Sequence, residues 1–493
     1  MAHPSKGARK RRPKTKPQQT SSPLLKGVKI LLVLILISFI CLCLLWDQNK
    51  PEKVTLANTA KIAYSQLTDR SGQIPKQYKD ISRLIETQKA KPWFKQAQKR
   101  IEEHRKADLV LVLIDANGQR LTPTDVKINL DSHEFHHGGI ISLWQFHGER
   151  KTGKPYIDPK IYRSKFLELY NATGFNNAFK YKLKKSHETL IPKAKQWLEE
   201  KNIPLRGHTL IWPGEKHLPK EILANKNNKT KLRQATNKVI RTWAQKWDLY
   251  EWDVINEPRT NHLLQDTLGQ GEEAKWFKLA QKSSKNPNVK LYLNEYQIIS
   301  GTKDKFKDLY EQNVQKLLDQ GAPLHGLGVQ SRYKFNLTPE QIYQALERLS
   351  KFQLPIKGTE FEVADLKRKL SDQERAKITF EVAATYFSHR LVHGLYVWTI
   401  FQSSTHAEVN GKPSWGHSSY MINKDGSLKA NGLVWKYLFK QLWVTQGSIK
   451  SDAQGLIKTR AFKGQYTISF KYRGKSFTKK IQLDKDKIVE IKI

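Results

Sequence analysis

The heptapeptide WDVINEP, residues 252–258, is an apolar, β-rich run that ends on the carboxylate of Glu257. A second heptapeptide, LPIKGTE, spans residues 354–360 and ends in the same way on Glu360. A carboxylate at the end of a buried strand carries a large desolvation cost unless a partner neutralises its charge or a reaction uses it. Two such carboxylates in one chain therefore indicate a catalytic pair.

Both glutamates fall in a region where strand-like runs alternate with amphipathic helices. Helices are predicted at 191–201, 231–246 and 340–349, among others, and eight strands near 134–140, 174–179, 203–212, 249–256, 288–294, 324–331, 354–361 and 394–401. This alternation predicts an α/β fold, a TIM (β/α)8 barrel over residues 131–446, whose chemistry takes place at the C-terminal ends of the strands. Glu257 and Glu360 end the fourth and the seventh strand.

Smaller elements are predicted on both sides of the barrel. Residues 91–130 are predicted to form a helix and then a β-hairpin, with strands at 109–115 and 126–130 and a turn at Asn117-Gly118. Residues 447–493 contain short alternating runs separated by glycine-containing turns, which predict a small antiparallel β module. A glycan-binding role and a purely structural role for this module both stay open.

The N-terminal region predicts a membrane anchor. Residues 1–29 carry nine Lys and Arg and no acidic residue, and the 17 residues 30–46 carry no charge. A basic tail before an apolar span keeps the N-terminus in the cytoplasm, so the rest of the chain is expected outside it, in the periplasm or at the cell surface. The alternative is a cleaved signal peptide and a secreted enzyme. Residues 47–90 are polar and are predicted to be a linker or stalk.

Composition narrows the classes of partner and cofactor. The net charge is +40, but the lysines are scattered singly among acidic and apolar residues, which favours a solvated basic surface over a nucleic-acid partner. The only two cysteines, Cys41 and Cys43, lie in the apolar run, so no disulfide or thiolate metal site is expected in the remainder. The histidines at 133, 136 and 137 lack an evident carboxylate or thiolate partner, and no metal or cofactor is predicted. We expect a monomer.

The chemistry that uses two carboxylates of this kind is glycoside hydrolysis, in which one protonates the leaving oxygen and the other attacks or assists the sugar carbon. Motifs that fit strands three to eight follow one another in order, namely RGHTLIW at 206–212, WDVINEP at 252–258, LYLNEY at 291–296, GLGVQS at 326–331, TE at 359–360 and GLYVW at 394–398. Over roughly residues 130–440 the chain resembles glycoside hydrolase family 10, the retaining endo-β-1,4-xylanases.

The resemblance implies a role for each motif residue. Glu257 is expected to be the general acid/base, with a pKa raised by burial and by a second carboxylate nearby. Glu360 is expected to be the nucleophile, about 5 Å from Glu257 if the configuration is retained. Asn256 is expected to donate to the sugar 2-hydroxyl and His208 to bind the sugar at the −1 subsite, next to the bond that breaks.

Further motif residues are expected to bind substrate. Trp212 and Trp398 are predicted to form the walls of the −1 subsite, with simple packing as the alternative. Gln330, Asn294 and Tyr296 are predicted to hold the nucleophile side of the site.

Departures from the family pattern put the substrate in question. The Glu-Asn pair that follows strand two in the family is replaced here by Tyr181-Lys182 or its neighbours, although Lys185 is available as a substrate-binding lysine. The family's histidine after Gln-Ser is Arg332, and its aspartate two residues beyond the nucleophile is Glu362. Because alternate residues of a strand share a face, the fork of Arg332 is predicted to reach Glu360 or Glu362 and to lower the pKa of Glu360.

Lysines near strand two suggest a further preference. Lys180, Lys182, Lys184 and Lys185 are predicted to favour an acidic decoration such as glucuronic acid, unless they lie on a helix face and contact only water. The function predicted is a retaining, endo-acting glycoside hydrolase that cleaves β-1,4-xylan or a related β-glycan. The alternatives are a catalytically weak glycan-binding protein on the same barrel and a basic surface protein with an anionic partner.

Overall fold

The computed structural model describes residues 74–121, 123–148, 157–334, 336–364, 370–402 and 418–493, together with residues 34, 35, 38, 54 and 55. Its strands are β1 Lys106–Ile114, β2 Asp125–His133, β3 His136–Ile141, β4 Thr173–Phe175, β5 Leu205–Ile211, β6 Glu251–Asn256, β7 Lys290–Glu295, β8 Gly326–Val329, β9 Arg332–Tyr333, β10 Ile356–Val363, β11 Val392–Val397, β12 Gln446–Lys450, β13 Leu456–Phe462, β14 Gly464–Tyr472, β15 Lys475–Leu483 and β16 Lys487–Lys492.

Helices follow most of the barrel strands. The α-helices are α1 Ser82–Ala90, α2 Pro92–His104, α3 Leu143–His147, α4 Pro159–Leu169, α5 Lys184–His187, α6 Ile191–Glu200, α7 Lys220–Leu223, α8 Lys229–Lys246, α9 Leu263–Leu268, α10 Glu272–Ser283, α11 Asp304–Asp319, α12 Pro339–Leu349, α13 Asp372–Ser388 and α14 Ala430–Tyr437. Short 3₁₀ turns lie at Lys76–Ile81, Tyr181–Leu183, Glu215–His217 and Ser350–Phe352, and a π-turn lies at Leu438–Leu442.

Eight parallel strands close into the predicted barrel. The order is β3-β4-β5-β6-β7-β8-β10-β11, and β11 pairs with both β10 and β3. The two-residue strand β9 adds to the end of β10, where Arg332 pairs with Glu362. Every predicted barrel strand overlaps an observed one, and the three predicted helices correspond to α6, α8 and α12 within two residues at each end.

Local sequence signals explain where several helices begin. At α12 the Thr338 side chain accepts from the backbone N–H of Gln341, whose side chain accepts from the backbone of Thr338. Ser371 and Glu374 form the same reciprocal pair at the start of α13. Such a capping box satisfies backbone donors that the first helical turn leaves unpaired. One continuous apolar core then joins the helices to the barrel strands.

The predicted hairpin at 109–130 is wrong, because its two strands lie in different sheets. Strand β1 lies between β13 and β16, whereas β2 lies between β12 and β14 in a sheet that β15 completes. The apolar residues between the two sheets include Leu109, Leu111 and Ile457. The segment before the barrel, which supplies β1 and β2, and the C-terminal tail therefore form one β-sandwich. The tail is not a separate antiparallel module, since β1 and β16 are parallel.

Residues 74–90 correct the stalk prediction, because this part of it is helical and joins the barrel core. Tyr78, Ile81 and Ile85 are almost fully buried there. After α2, the guanidinium of Arg105 donates to the backbone carbonyls of Phe387, His389 and Val392, at the end of α13 and the start of β11. The segment before the barrel is thus attached to it by hydrogen bonds as well as by apolar contacts.

The predicted membrane anchor at 30–46 falls almost wholly outside the described residues, as does the linker between residues 47 and 73. Among the residues that the structure describes, no helix is both long enough and apolar enough to cross a bilayer.

The sandwich topology predicts that the tail is required for folding. A chain truncated after Thr445 loses both neighbours of β1 and two neighbours of β2, which exposes the apolar faces of those strands. We expect no cooperative thermal transition and little soluble protein. The control, truncated after Asp486, loses only β16 and should remain folded with a lower Tm. A 1–445 chain that unfolds with the Tm of the full chain would show that the tail is dispensable.

Candidate active site

Glu257 directly follows β6 and has an unusual backbone conformation. Its φ is +52°, in the left-handed region that non-glycine residues rarely adopt. The side-chain oxygens accept a hydrogen bond from Gln330 Nε2 at 2.6 Å and from Asn261 Nδ2 at 3.2 Å. The backbone N–H donates to the carbonyl of Asn294 on β7 at 2.8 Å. Two neutral amides therefore hold this carboxyl group at the C-terminal end of the barrel.

Glu360 lies on β10 and pairs with a guanidinium. Arg332 donates to Glu360 Oε2 through Nε at 3.0 Å and Nη2 at 2.7 Å, and its Nη1 donates to Glu362. Glu362 in turn accepts from the hydroxyls of Thr399 and Ser419. The prediction that Arg332 reaches one of the two glutamates is confirmed, and it contacts both.

The two candidate catalytic carboxyl groups differ in pKa. Burial raises the pKa of Glu257, and the charge of Glu360 adds to that increase, although the hydrogen bond from Gln330 opposes it. Burial also acts to raise the pKa of Glu360, but Arg332 and, more weakly, His208 outweigh it, so the pKa lies below its ordinary value. One group therefore tends to keep its proton while the other is ionised.

Asn256 and Asn294 connect the two sides of the site. Asn294 Nδ2 donates to Asn256 Oδ1 at 2.9 Å and to Glu360 Oε1 at 3.3 Å, while its oxygen accepts from Thr359. The hydrogen bond to its Oδ1 thereby fixes the side-chain amide of Asn256, with the Nδ2 end directed away from Asn294. That nitrogen is buried and has no hydrogen-bond partner among the described residues. A buried donor without a partner is costly, so it marks a position where a ligand oxygen fits.

A chain of buried charges leads from the barrel interior to His208. Lys357 pairs with Glu251, and Arg206 bridges Glu251 at 2.8 Å and Asp253 at 2.6 Å. Asp253 Oδ2 lies 2.8 Å from His208 Nδ1, which leaves Nε2 for the cavity. Burial acts to raise the pKa of Glu251, but Lys357 and Arg206 lower it to about 2, so this carboxylate stays ionised in the barrel interior.

These side chains line one cavity of about 550 Å³. Of the predicted catalytic and substrate-binding residues, Lys185 and Asn294 do not line it, and it brings together the other nine, namely Glu257, Glu360, His208, Trp212, Asn256, Tyr296, Gln330, Arg332 and Trp398. The Trp398 ring stacks on the guanidinium of Arg332 at 4.7 Å and meets His208 edge-on.

Three sequence predictions are corrected here. Lys185 does not line the cavity, because it lies exposed on the short helix α5, and Lys180 projects into the cavity instead. The Gln330 side chain holds Glu257 and not the nucleophile side, where only its backbone carbonyl accepts from Glu360 N–H. Tyr296 bonds to Thr260 and stacks on Arg259, so it also lies toward the Glu257 loop. Of that predicted group, Asn294 hydrogen-bonds to the carboxylate of Glu360.

Sequence reasoning missed Lys216 and Asn261 as cavity residues, whereas it named Lys180 only among the lysines near strand two. Asn261 lies four residues after Glu257 in the loop that follows β6. A short polar side chain so close to the glutamate is the feature of the sequence that could have identified it. Burial lowers the pKa of Lys180 to about 8, with Glu360 opposing the shift and Arg332 adding to it. Its ammonium donates to Asn177 at 3.0 Å.

The comparison with known families agrees with this geometry. A sequence profile described as "Glycosyl hydrolase family 10" matches residues 165–430. The chain belongs to glycosyl hydrolase family 10. The match runs from α4 to the start of α14, so it contains the strands that carry Glu257 and Glu360.

Similar proteins come from plants and bacteria. Endo-1,4-beta-xylanase 1 of Arabidopsis thaliana is 22% identical over 382 residues, which cover 76% of this chain and 37% of the relative. Anti-sigma-I factor RsgI6 of Acetivibrio thermocellus is 23% identical over 78% of this chain and 47% of its own length. Endo-1,4-beta-xylanase B of Paenibacillus barcinonensis is 27% identical over 43% of this chain and 68% of its own. The chain thus spans less than half of the first two.

Solved structures share the fold. Xylanase 10B from Thermotoga petrophila in complex with xylobiose has a TM-score of 0.53 at 20% identity and covers 63% of this chain and 95% of that one. Native xylanase 10B from Thermotoga maritima has a TM-score of 0.51 at 19% identity, over 62% and 97%. The barrel is therefore common to all three proteins.

Arg332 predicts how any activity that depends on ionised Glu360 varies with pH. Because Arg332 lowers the pKa of Glu360, the ionised form persists to lower pH than without a permanent cation. In an Arg332→Gln variant the neighbour is a neutral amide at every pH, so no cation remains beside Glu360. We expect its acidic limb of kcat/KM to move to higher pH, with a several-fold loss of activity near pH 4.5 relative to pH 6.5.

The matched control is Arg332→Lys, which keeps a permanent cation but loses the two-pronged contact. Its activity should fall while its acidic limb stays near that of the wild type. An acidic limb that does not move in Arg332→Gln would contradict the role given to the guanidinium.

Proposed function

We propose that this protein is a retaining, endo-acting glycoside hydrolase that cleaves β-1,4-linked xylan or a related β-glycan by double displacement. The observation that carries the proposal is the pair of carboxyl groups on one cavity whose pKa values are shifted in opposite directions. A protonated Glu257 is suited to give a proton to the glycosidic oxygen. An ionised Glu360 is suited to attack the anomeric carbon.

The reaction runs in two steps. Glu360 forms a bond to the anomeric carbon as the bond to the glycosidic oxygen breaks, and Glu257 passes its proton to that oxygen. Glu257, now ionised, then removes a proton from water, and the resulting hydroxide displaces Glu360 from the sugar. The product keeps the starting configuration. This two-step mechanism predicts a separation of about 5–5.5 Å between the two carboxyl groups.

The remaining cavity residues have roles in binding the sugar. The unpartnered Nδ2 of Asn256 is suited to donate to the 2-hydroxyl, a contact that strengthens as positive charge develops on the ring. His208, held through Nδ1 by Asp253, can offer Nε2 to a neighbouring hydroxyl. Trp212 and Trp398 contribute flat apolar surface against which a sugar ring can lie.

The proposed substrate class rests on the names of the relatives. Proteins called endo-1,4-beta-xylanase occur among the plant and bacterial relatives described above. The Glu-Asn pair expected after strand two is absent, and Lys180 projects into this part of the cavity. We therefore assign a β-1,4-linked, xylan-type polysaccharide and leave its decoration to the section below.

The catalytic roles predict different responses to the two substitutions. Glu360→Ala removes the nucleophile and should abolish turnover on every substrate. Glu257→Ala should lower kcat/KM on the natural polymer by about 10²–10⁴-fold, the usual contribution of a general acid. On an aryl glycoside with an activated phenolate the first step should survive, so a burst of phenolate and a trapped glycosyl-enzyme are expected by mass spectrometry.

Glu381→Ala serves as the control, since Glu381 is a buried carboxylate on α13 that does not line the cavity. Equal losses on activated and natural substrates in both active-site variants would reject these assignments. Glycan binding by the wild-type protein without release of reducing sugar would favour a non-catalytic binding protein on the same barrel.

We further propose that residues 30–46 anchor the protein in a membrane as a single span. The basic tail of residues 1–29 then lies in the cytoplasm, and the barrel lies in the periplasm or at the cell surface. The charge asymmetry around the apolar run supports this orientation.

Cell fractionation tests the anchor. We expect the full-length protein in the membrane fraction, resistant to extraction with high salt or carbonate and released by detergent. External protease should cleave the barrel in cells whose outer layers have been opened. A protein recovered from the medium with an N-terminus between Trp46 and Tyr64 would instead identify the apolar run as a cleaved signal.

A further inference from the structure

A second cavity adjoins the proposed active site. It has a volume of about 280 Å³ and shares Lys180, Trp212 and Lys216 with the larger cavity. Its other wall includes Lys182 and His217, contributed by the segment after β4 and by the loop after β5. The volume gives room for one substituent sugar beside the main chain of a glycan. We call it the side cavity.

The side cavity is positively charged. Three lysines line it, Lys180, Lys182 and Lys216, and in the described part of the chain no acidic residue does. The ammonium of Lys182 also donates to the backbone carbonyl of Lys216, which holds these two residues together. The acidic residues of the adjacent loop are already paired, Glu215 with Lys226 and Glu221 with Lys184. Their charges therefore offset other lysines first, and a net positive potential remains at this end of the cleft.

The same positive charges act on the pKa of His217, and this residue adds no charge of its own. Burial lowers its pKa to about 4, and the neighbouring lysines Lys216, Lys180 and Lys182 add to the decrease. At neutral pH the imidazole is therefore uncharged. It stacks on the Trp212 indole with 3.4 Å between ring centres and 7° between planes, which gives the side cavity a rigid aromatic wall.

Two buried nitrogens on this wall lack partners. Trp212 Nε1 and His217 Nε2 are both shielded from solvent, and neither has a hydrogen-bond partner within the described residues. The indole N–H is only a donor, and the imidazole nitrogen is a donor in one of its two neutral forms. Leaving them unpaired is costly, so an acceptor oxygen that reached either nitrogen would recover that energy.

The position of Lys180 links the side cavity to the reacting bond. Its ammonium lies 5.1 Å from the centre of the Trp212 ring and 5.9 Å from that of Trp398. It also interacts electrostatically with Glu360 and Glu257. A group held by Lys180 from the side cavity therefore belongs to a sugar at, or immediately next to, the site of cleavage.

We propose that the side cavity is a subsite for a uronic acid carried by the glycan, whose carboxylate pairs with Lys182 and Lys216 and lies within reach of Lys180. The inference rests on the proposed function, since it names the decoration of the same substrate. A carboxylate supplies the negative charge and the acceptor oxygens that this wall of cations and unpaired donors lacks. A neutral substituent supplies only the oxygens.

Matched oligosaccharides test the proposal. One carries a glucuronic acid substituent and the other carries its methyl ester, which has the same shape without the charge. For the full-length enzyme at low salt we expect kcat/KM to favour the free acid by about tenfold, the equivalent of one charge-assisted hydrogen bond. The double variant Lys182→Gln, Lys216→Gln should bring this ratio close to one.

The control double variant is Lys193→Gln, Lys201→Gln, which removes the same charge from exposed positions outside the side cavity. It should keep the tenfold ratio. A ratio near one in the wild-type enzyme, or an unchanged ratio in the side-cavity variant, would overturn the proposal while leaving the hydrolase assignment intact. No turnover of either oligosaccharide would count against the hydrolase assignment instead.

A binding measurement separates the two proposals fully, because it requires no turnover. In the Glu360→Ala background, calorimetric titration should show tighter binding of the free acid than of the methyl ester. The difference should shrink between 50 and 500 mM NaCl, as roughly expected for a partly exposed ion pair. Equal affinities for the two ligands at low salt would reject the carboxylate subsite even if the enzyme is active.

Discussion

The pairing of Arg206 with Glu251 and Asp253 inside the barrel is the interaction on which the proposed site depends. Charges this deep are tolerated only when each has a partner, and removing one partner leaves the others exposed to the full desolvation cost. Lys357 completes the chain at one end and His208 at the other. The ion pairs that compensate the buried charges inside the barrel therefore also fix the imidazole of His208, which faces the cavity.

A second guanidinium, that of Arg332, compensates buried negative charge at the mouth of the barrel. Arg332 pairs with both Glu360 and Glu362, and its positive charge reduces the repulsion between two buried carboxylates on one strand face. Glu257, held only by neutral amides, has no such partner and its pKa rises. The difference between the two groups thus follows from which strand end supplies a cation and which supplies amides.

The sequence was a good guide to the barrel and a poorer guide to side-chain direction and long-range pairing. Strand positions could be predicted because buried parallel strands are continuous apolar runs, and nine of the eleven predicted motif residues line one cavity. Lys185 was misassigned because helix α5 turns it outward, which a strand-based register does not reveal. The hairpin failed because local alternation identifies β1 and β2 as strands but says nothing about their partners.

The β-sandwich has a consequence for how the chain matures during synthesis. Val110 of β1 pairs with Lys458 of β13, nearly 350 residues later, and Leu109 pairs with Lys487 of β16. At a synthesis rate of about 5–20 residues per second, β1 waits on the order of 20–70 s for its first neighbour. Throughout that interval β1 can pack against β2 but lacks both of the strands that flank it, so its sheet can form only when the last fifty residues emerge.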